Sequence, residues 1–194
     1  MGWYTTDELY DLGLKSVGKE VRVSTGATFY RPERISIGDF SRIDDSTTLT
    51  AGPDGSILIG SYVYLGPYVM VESPLTATFG DFSTLAARVT VYGASDNYLG
   101  ESLTNPTVPP EYRELTNESI HIGRHAIIGT HSVILPGAHV GEGCAVGAMT
   151  LVNRTLEPFG VYVGAPARRI RERSRRILEL EGELAASGLR TASD

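Results

Sequence analysis

From Ile122 to Glu157 the chain repeats every six residues, as IGRHAI, IGTHSV, ILPGAH, VGEGCA, VGAMTL and VNRTLE. An aliphatic residue opens each block, at Ile122, Ile128, Ile134, Val140, Val146 and Val152. Four of the six blocks continue with Gly. The fifth place holds Ala126, Ser132, Ala138, Cys144, Thr150 and Leu156, small in five blocks of six. A period of six is neither the helical 3.6 nor the simple alternation of a strand. Short repeats of this kind build a solenoid, in which each unit buries its apolar side only against the next. Each block then reads as a short strand and a corner, and three blocks make one triangular coil of eighteen residues. The first and fifth places point inward, and each opening aliphatic stacks on the residue eighteen positions later. Gly in the second place is expected because the corner backbone is tight.

The same phase runs upstream. It reads Val17/Val21, Val23/Ala27 and Phe29, then, past a spacer, Ile37/Ser41, Ile43/Thr47 and Leu49. A turn containing Gly52, Pro53, Asp54 and Gly55 follows. The pattern resumes as Ile59/Val63, Leu65/Val69, Val71/Leu75, Phe79/Ser83, Leu85/Val89 and Val91/Ser95. Together with the blocks from Ile122 this makes about six coils. A sandwich of alternating strands does not explain so long a register. The fold class is therefore all-β, a β-helix with short helices at its ends.

The expected divisions are a capping helix in 1–16, coils in 17–96, a projecting loop in 97–121, coils and an exit segment in 122–167, and a helix with its tail in 168–194. Thr5 and Glu8 form a capping box, Leu9 and Leu12 give the first helix an apolar side, and Gly13 stops it. Such a helix covers the edges exposed at an open solenoid end. Residues 97–121 hold Pro106, Pro109 and Pro110 and no repeat, so they must leave the coil, and a long loop on a regular scaffold is a functional candidate. In the last helix, Ile170, Ile177, Leu178 and Leu180 form an apolar stripe. Glu172, Glu179 and Glu181 pair with its arginines, Arg173 to Arg176 lie on a solvated face, and the tail GLRTASD frays.

A net charge of −6 argues against general nucleic-acid binding. The single cysteine excludes an internal disulfide, and Cys144 falls in an inward place where a thiol without a charged partner is inert. No run of eighteen apolar residues marks a membrane span. The first residues lack the apolar core of a signal peptide, and the match to M-G-x-x-x-[ST] through Gly2 and Thr6 is set aside because a bulky pair and a helix follow. The expected compartment is the cytoplasm.

The hexad register and its exit VGAPARRI, Val163 to Ile170, resemble the hexapeptide-repeat acyltransferases from Val17 to about Arg171. The nearest branch holds the galactoside, maltose and lipopolysaccharide O-acetyltransferases, with relatives that acetylate nucleotide-linked amino sugars. The resemblance implies a left-handed parallel β-helix, a homotrimer, and acetyl-CoA lying along the groove between neighbouring β-helices. It implies transfer of the acetyl group to a sugar or sugar-nucleotide hydroxyl or amine, by direct attack on the thioester, as in lipopolysaccharide and O-antigen assembly. Residue by residue, it places Gly129 and Thr130 at the thiol end of the cofactor and Gly147 and Ala148 at the pantetheine amides. Asn153 and Arg154 stand where the family has Thr-Lys, and Arg168 and Arg171 where basic residues meet the phosphates. The cofactor's chemistry suits these types, since small residues admit backbone contacts and arginines suit phosphate.

In the family's O-acetyltransferases a histidine enters the projecting loop as general base. Here that segment, GASDNYLGESLTNP, has none. Asp96 is the best-placed carboxylate, with Glu101 further out, and a carboxylate can serve as base. An amine acceptor would need no strong base. His131 matches a family position beside the thiol end, whereas His121 and His139 stack eighteen apart on one outward face and His125 fills a fourth place. No metal is expected, because these spacings do not fit the three-histidine zinc site of γ-carbonic anhydrases on this fold. A zinc enzyme of that kind and a non-catalytic scaffold stay open as alternatives. Tyr62, Tyr64, Tyr68, Tyr92 and Tyr98 are read as outward residues of a sugar cleft or a subunit interface.

Overall fold

The computed structural model describes residues 2–188, so the expected frayed tail from Leu189 onward lies outside the described residues. The chain winds into three sheets. The first face carries Ser16–Val17, Ile35–Ile37, Ser56–Ile59, Thr76–Phe79, Ile120–Ile122 and His139–Val140, all parallel. The second carries Arg22–Val23, Arg42–Ile43, Tyr64–Leu65, Thr84–Leu85, Ile127–Ile128, Ala145–Val146 and Gly160–Val163, with Arg168–Glu172 folded back antiparallel at its end. The third carries Thr28–Tyr30, Thr48–Ala51, Met70–Ser73, Thr90–Tyr92, Val133–Ile134 and Leu151–Val152. This is a left-handed parallel β-helix of six full coils, with a partial seventh begun at the Val140–Leu156 bridge.

The six-residue phase produces the core directly. Every first-place and fifth-place residue of the blocks from Ile122 is buried. Stacked aliphatics fill the axis, and each removes its apolar surface from water, worth about 1.5–3 kcal/mol per large side chain. Buried hydroxyls in the fifth place are satisfied by the next coil. Ser41 donates to the Gly60 carbonyl (2.8 Å), Thr47 to Gly66 (3.0 Å) and Ser132 to Gly147 (2.9 Å). These acceptors are second-place glycines. The role expected for those glycines needs correction: a Cβ on Gly38 would lie 2.6 Å from Gly60, and one on Gly123 2.6 Å from the Glu142 nitrogen. They let coils stack. The left-handed corner conformation falls instead on the fourth place, at Phe40, Tyr62, Phe82, Arg88, His125 and His131 among others, at about 1–2 kcal/mol per non-glycine residue.

Coil length is not uniform. The registers Ile122 to Val140, Ile128 to Val146 and Ile134 to Val152 span eighteen residues, but Val17 to Ile37 spans 20, Ile37 to Ile59 22 and Ile59 to Phe79 20. The excess sits at one corner, between the third face and the next first face, where Phe29 to Ile37, Leu49 to Ile59 and Val71 to Phe79 are 8, 10 and 8 apart. That shift exposes Leu75 and buries Ser73. The long insertion leaves from the same corner. It starts earlier than expected: Ala94–Asp96 pairs antiparallel with Leu115–Asn117, so residues 94–117 form a hairpin and the coil resumes at Ile120. Ser95 belongs to that stem rather than the core.

Helix α1, Thr6–Asp11, has the expected Thr5–Glu8 capping box, and Leu9 is buried in the core. At the other end 168–172 is a strand, and helix α2 spans Arg176–Ser187. Ile170 is therefore exposed on a strand rather than part of a helical stripe. Ile177, Leu180 and Leu184 face Phe82 and His125. These belong to a corner stack of rings, Phe40 on Tyr62 (4.9 Å), Tyr62 on Phe82 (4.7 Å) and Phe82 on His125 (5.0 Å). Glu181 crosses to Arg124 and His125 instead of pairing along its own helix, whereas Glu172 does pair with Arg169 (2.7 Å). The solvated reading also fails for Arg173, while Arg175 stays exposed as expected. Arg173 donates to the carbonyls of His125, Gly143 and Cys144, and Arg175 lies over Phe159. The returning strand, absent from the helix expectation, turns both back onto the coil.

Candidate active site

The corner between the second and third faces holds four of the eight expected cofactor residues. Gly129 and Thr130 follow the strand Ile127–Ile128, and Gly147 and Ala148 follow Ala145–Val146 one coil on. A Cβ on Gly129 would collide with the Ala148 amide. The two glycine amides are engaged in stacking, Gly129 to Val146 (2.8 Å) and Gly147 to Tyr162 (2.8 Å), so they are not the donors a cofactor could use. The next amides, of Thr130 and Ala148, donate to no protein group among the described residues. Ala148 is exposed, and Thr130 is half-buried with its hydroxyl on the Ala87 carbonyl (2.5 Å). A column of fourth-place side chains runs along this corner: Ser46, Tyr68, Arg88, His131 and Met149. Backbone bonds from Arg88 to Pro67, His131 to Ala87 and Met149 to Thr130 hold them one coil apart, about 4.8 Å per step. His131 is exposed, and its ring has no polar partner among the described residues.

Asp96 ends the first stem strand of the hairpin at the opposite edge of the third face. Its carboxylate accepts from the Asn105 amide (3.4 Å) and pairs with Arg113 (3.6 Å), and its side chain remains one-third exposed. It opens onto a hollow of about 440 Å³ bordered by Asn97, Tyr98, Ser102 and Thr104. Arg113 was not among the expected site residues, although it is the sole Lys or Arg of 97–121, a signal that it answers an acid. Glu101 is exposed on the far side of the hairpin, in a separate hollow with Glu111 and Glu114.

The other expected residues lie apart. Asn153 and Arg154 are exposed where the third face ends in the sixth coil. Arg168 and Arg171 are exposed on the final strand, at the end of the second face. One chain thus spreads Asp96, the free amides and the arginines around its perimeter instead of gathering them.

The histidines divide into three places. His121 and His139 stack on the first face (4.5 Å), as expected, with His121 bonded to Thr78 (2.7 Å). Burial and then His139 depress the His121 pKa. His125 is buried at the ring stack, where desolvation and then Arg124 depress its pKa. Among the described residues no three His, Cys, Asp or Glu side chains gather as a metal would require. Burial raises the Cys144 thiol, which rests on the Glu157 carbonyl (3.0 Å). Of the outward tyrosines, Tyr62 lies in the ring stack, and Tyr64 donates to Asp44 (2.6 Å) with its pKa pushed up to about 12 by burial and that bond. Tyr68 and Tyr98 are exposed.

Residues 119–154 match the bacterial transferase hexapeptide (six repeats) family. The chain is 38% identical to dTDP-4-amino-4,6-dideoxy-D-glucose acyltransferase of Escherichia coli over 97% of this chain and 98% of that protein. It is 32% identical to the galactoside O-acetyltransferase of Escherichia coli K12, but over 60% of this chain and 54% of the relative. Among solved structures it is similar to AntD, an N-acyltransferase from Bacillus cereus in complex with dTDP and 3-hydroxybutyryl-CoA, at 39% identity over 96% of this chain and 98% of that one with a TM-score of 0.92. No described helix is long and apolar enough to cross a membrane.

Proposed function

The chain belongs to the hexapeptide-repeat acyltransferases, and from that premise we propose that it acylates the amine of a nucleotide-linked amino sugar. It is an enzyme that takes an acyl group from acyl-CoA and passes it to a sugar-containing acceptor. One observation carries the finer reading. The similarity to the dTDP-amino-sugar acyltransferase spans 97% of the chain, so it takes in the projecting hairpin, whereas the match to the galactoside enzyme covers 60%. The missing histidine at the hairpin entry points the same way, because an amine attacks a thioester without the strong base a hydroxyl needs.

In this mechanism the amine lone pair attacks the thioester carbonyl carbon. Asp96 takes a proton from the attacking nitrogen, the C–S bond breaks, and the proton is passed to the departing thiolate. Arg113 and the Asn105 amide hold the Asp96 carboxylate in place. His131 is the other candidate to carry a proton, at the thiol end of the groove. The amides of Thr130 and Ala148 bind the pantetheine arm, and Arg168, Arg171, Asn153 and Arg154 meet the phosphates and adenosine end. Acetyl-CoA is the donor of the simplest version, and the cytoplasm is where such a donor is found.

A homotrimer supplies what one chain lacks. Asp96 and the free amides occupy opposite edges of the third face. With three third faces turned toward a common axis, the hairpin edge of one copy meets the amide-bearing edge of the next. The outward residues there include the small or apolar Thr48, Met70, Thr90, Val133 and Leu151, which suit such a surface, beside the exposed Glu72. The test is a panel of acceptors with acetyl-CoA and 3-hydroxybutyryl-CoA, read by thiol release and product mass. Turnover of dTDP-4-amino-4,6-dideoxyglucose with N-acyl product is the expected result. Turnover confined to hydroxyl sugars such as galactosides would overturn it.

A further inference from the structure

Most guanidinium groups of the coils are occupied by their own fold. Arg42 binds Asp44, Arg113 binds Asp96, Arg124 binds Glu181, and Arg31 and Arg34 cap backbone carbonyls. Arg88 differs. It stands in the fourth coil on the cofactor corner, exposed, with no ion pair or hydrogen bond from its side chain among the described residues. Its guanidinium lies against a ring, 4.9 Å from the centroid of Tyr68, itself 53% exposed one coil further on. The fold spends two left-handed corner positions (φ 60° and 61°) on presenting this pair to solvent.

The column sets an order along the groove. From the C-terminal end it runs Arg168 and Arg171, then Ala148, then Thr130 beside His131, then Arg88, then Tyr68. The first three places are those of the acyl donor, with the thioester at the level of Thr130. The hairpin bearing Asp96 leaves the fourth coil and returns into the fifth, so the reacting amine is delivered at that same level. A sugar with its amine there and its anomeric oxygen across the ring reaches about one coil spacing, ~4.8 Å, which ends beside Arg88. A sugar that runs away from the donor along this groove sets whatever its anomeric oxygen carries against Arg88 and then Tyr68.

We propose that Arg88 and Tyr68 form the recognition site for the nucleoside diphosphate of the acceptor, Arg88 taking a phosphate oxygen and Tyr68 the flat base. This rests on the nucleotide-sugar reading above and adds to it the residues that read the nucleotide. A guanidinium offers forked donors that match phosphate, and a neighbouring aromatic face binds a base by stacking. Neither residue touches the reacting atoms, so both set specificity and position.

The experiment compares the wild-type protein with Arg88→Ala, Arg88→Lys, Tyr68→Leu and Tyr68→Phe. It uses dTDP-4-amino-4,6-dideoxyglucose and the same amino sugar without its nucleotide. Arg88→Ala raises KM for the nucleotide-linked acceptor at least tenfold and weakens inhibition by dTDP equally, while KM for acyl-CoA changes less than twofold. Arg88→Lys recovers part of the loss, Tyr68→Leu raises KM, and Tyr68→Phe restores it. Turnover of the nucleotide-free sugar is unchanged in all four, a readout that misfolding would not leave intact. If wild type prefers the nucleotide-linked sugar and Arg88→Ala leaves KM and dTDP inhibition unchanged, this assignment is wrong while the acceptor class stands. If wild type shows no preference for the nucleotide and no inhibition by dTDP, the acceptor class itself is wrong, and the assignment with it.

Discussion

Asp96 is the residue on which the proposed chemistry turns. It keeps its side chain one-third exposed while two partners on its own hairpin steer it. General-base catalysis contributes about 10²–10⁴-fold, so Asp96→Asn should lower kcat by about 10²-fold or more with KM for acyl-CoA little changed. Near-full thiol release by this variant would remove Asp96 from the mechanism and leave His131 to be tested. The histidines predict a separate effect on stability. His121 and His125 both titrate below the ordinary histidine value in the folded protein, through burial first. The unfolded chain therefore binds more protons near pH 6.5 than the folded one, and stability rises with pH there. Their contribution is present above about pH 6.5 and is lost as the pH falls below it. Urea midpoints measured from pH 8 to pH 5 should decline, and His121→Gln with His125→Gln should flatten the decline. An unchanged slope in the double variant would assign the effect to other groups.

The coils and the two end elements carry different risks when altered. Ile128 is fully buried in the fifth coil, directly under the candidate cofactor corner, and Ile128→Ala should cost about 2–5 kcal/mol by urea unfolding. Gly123→Ala acts through stacking, since its new Cβ would press on the Glu142 nitrogen. Such overpacking costs about 1–3 kcal/mol and forces the fifth and sixth coils apart. Arg173→Ala removes the one donor shared by three carbonyls that anchor the final strand and α2, at about 1–3 kcal/mol. It should release α2 from the ring stack, seen as faster amide exchange in 176–187 with the coils still protected. Equal exchange in the variant and the wild type would mean that Ile177, Leu180 and Leu184 hold the helix unaided.

At the scale of the whole molecule the prediction concerns assembly. Light scattering should give three times the chain mass. Asp96→Asn and an Ala148→Arg variant should each be weak alone, because each spoils one edge of every site. Mixed by unfolding and refolding together, they should recover about a quarter of wild-type activity, since random threefold assembly leaves that share of interfaces with both edges intact. No recovery, with mixed trimers demonstrated by mass, would place a complete site within a single chain.

Much of this molecule could be read from residues in order. Strand, corner and inward place follow from a six-residue period that each block carries within itself, so the chain specified its coils, its buried column and the stacking of His121 on His139 without reference to distant parts. The α1 cap was equally local, needing only Thr5 and Glu8. The strand at 168–172 was not, because its partner is the non-repeating segment Gly160–Val163 and its own charges suggest a helix. The glycine role was likewise hidden, since the clash that excludes a Cβ comes from a coil eighteen or more residues away. The pairing of Asp96 with Arg113, the engagement of the Gly129 and Gly147 amides and the setting of Arg88 on Tyr68 belong to the tertiary structure alone. Each depends on which residues the winding brings within a few ångströms, and distance in space is set by coil stacking, which no short-range period records.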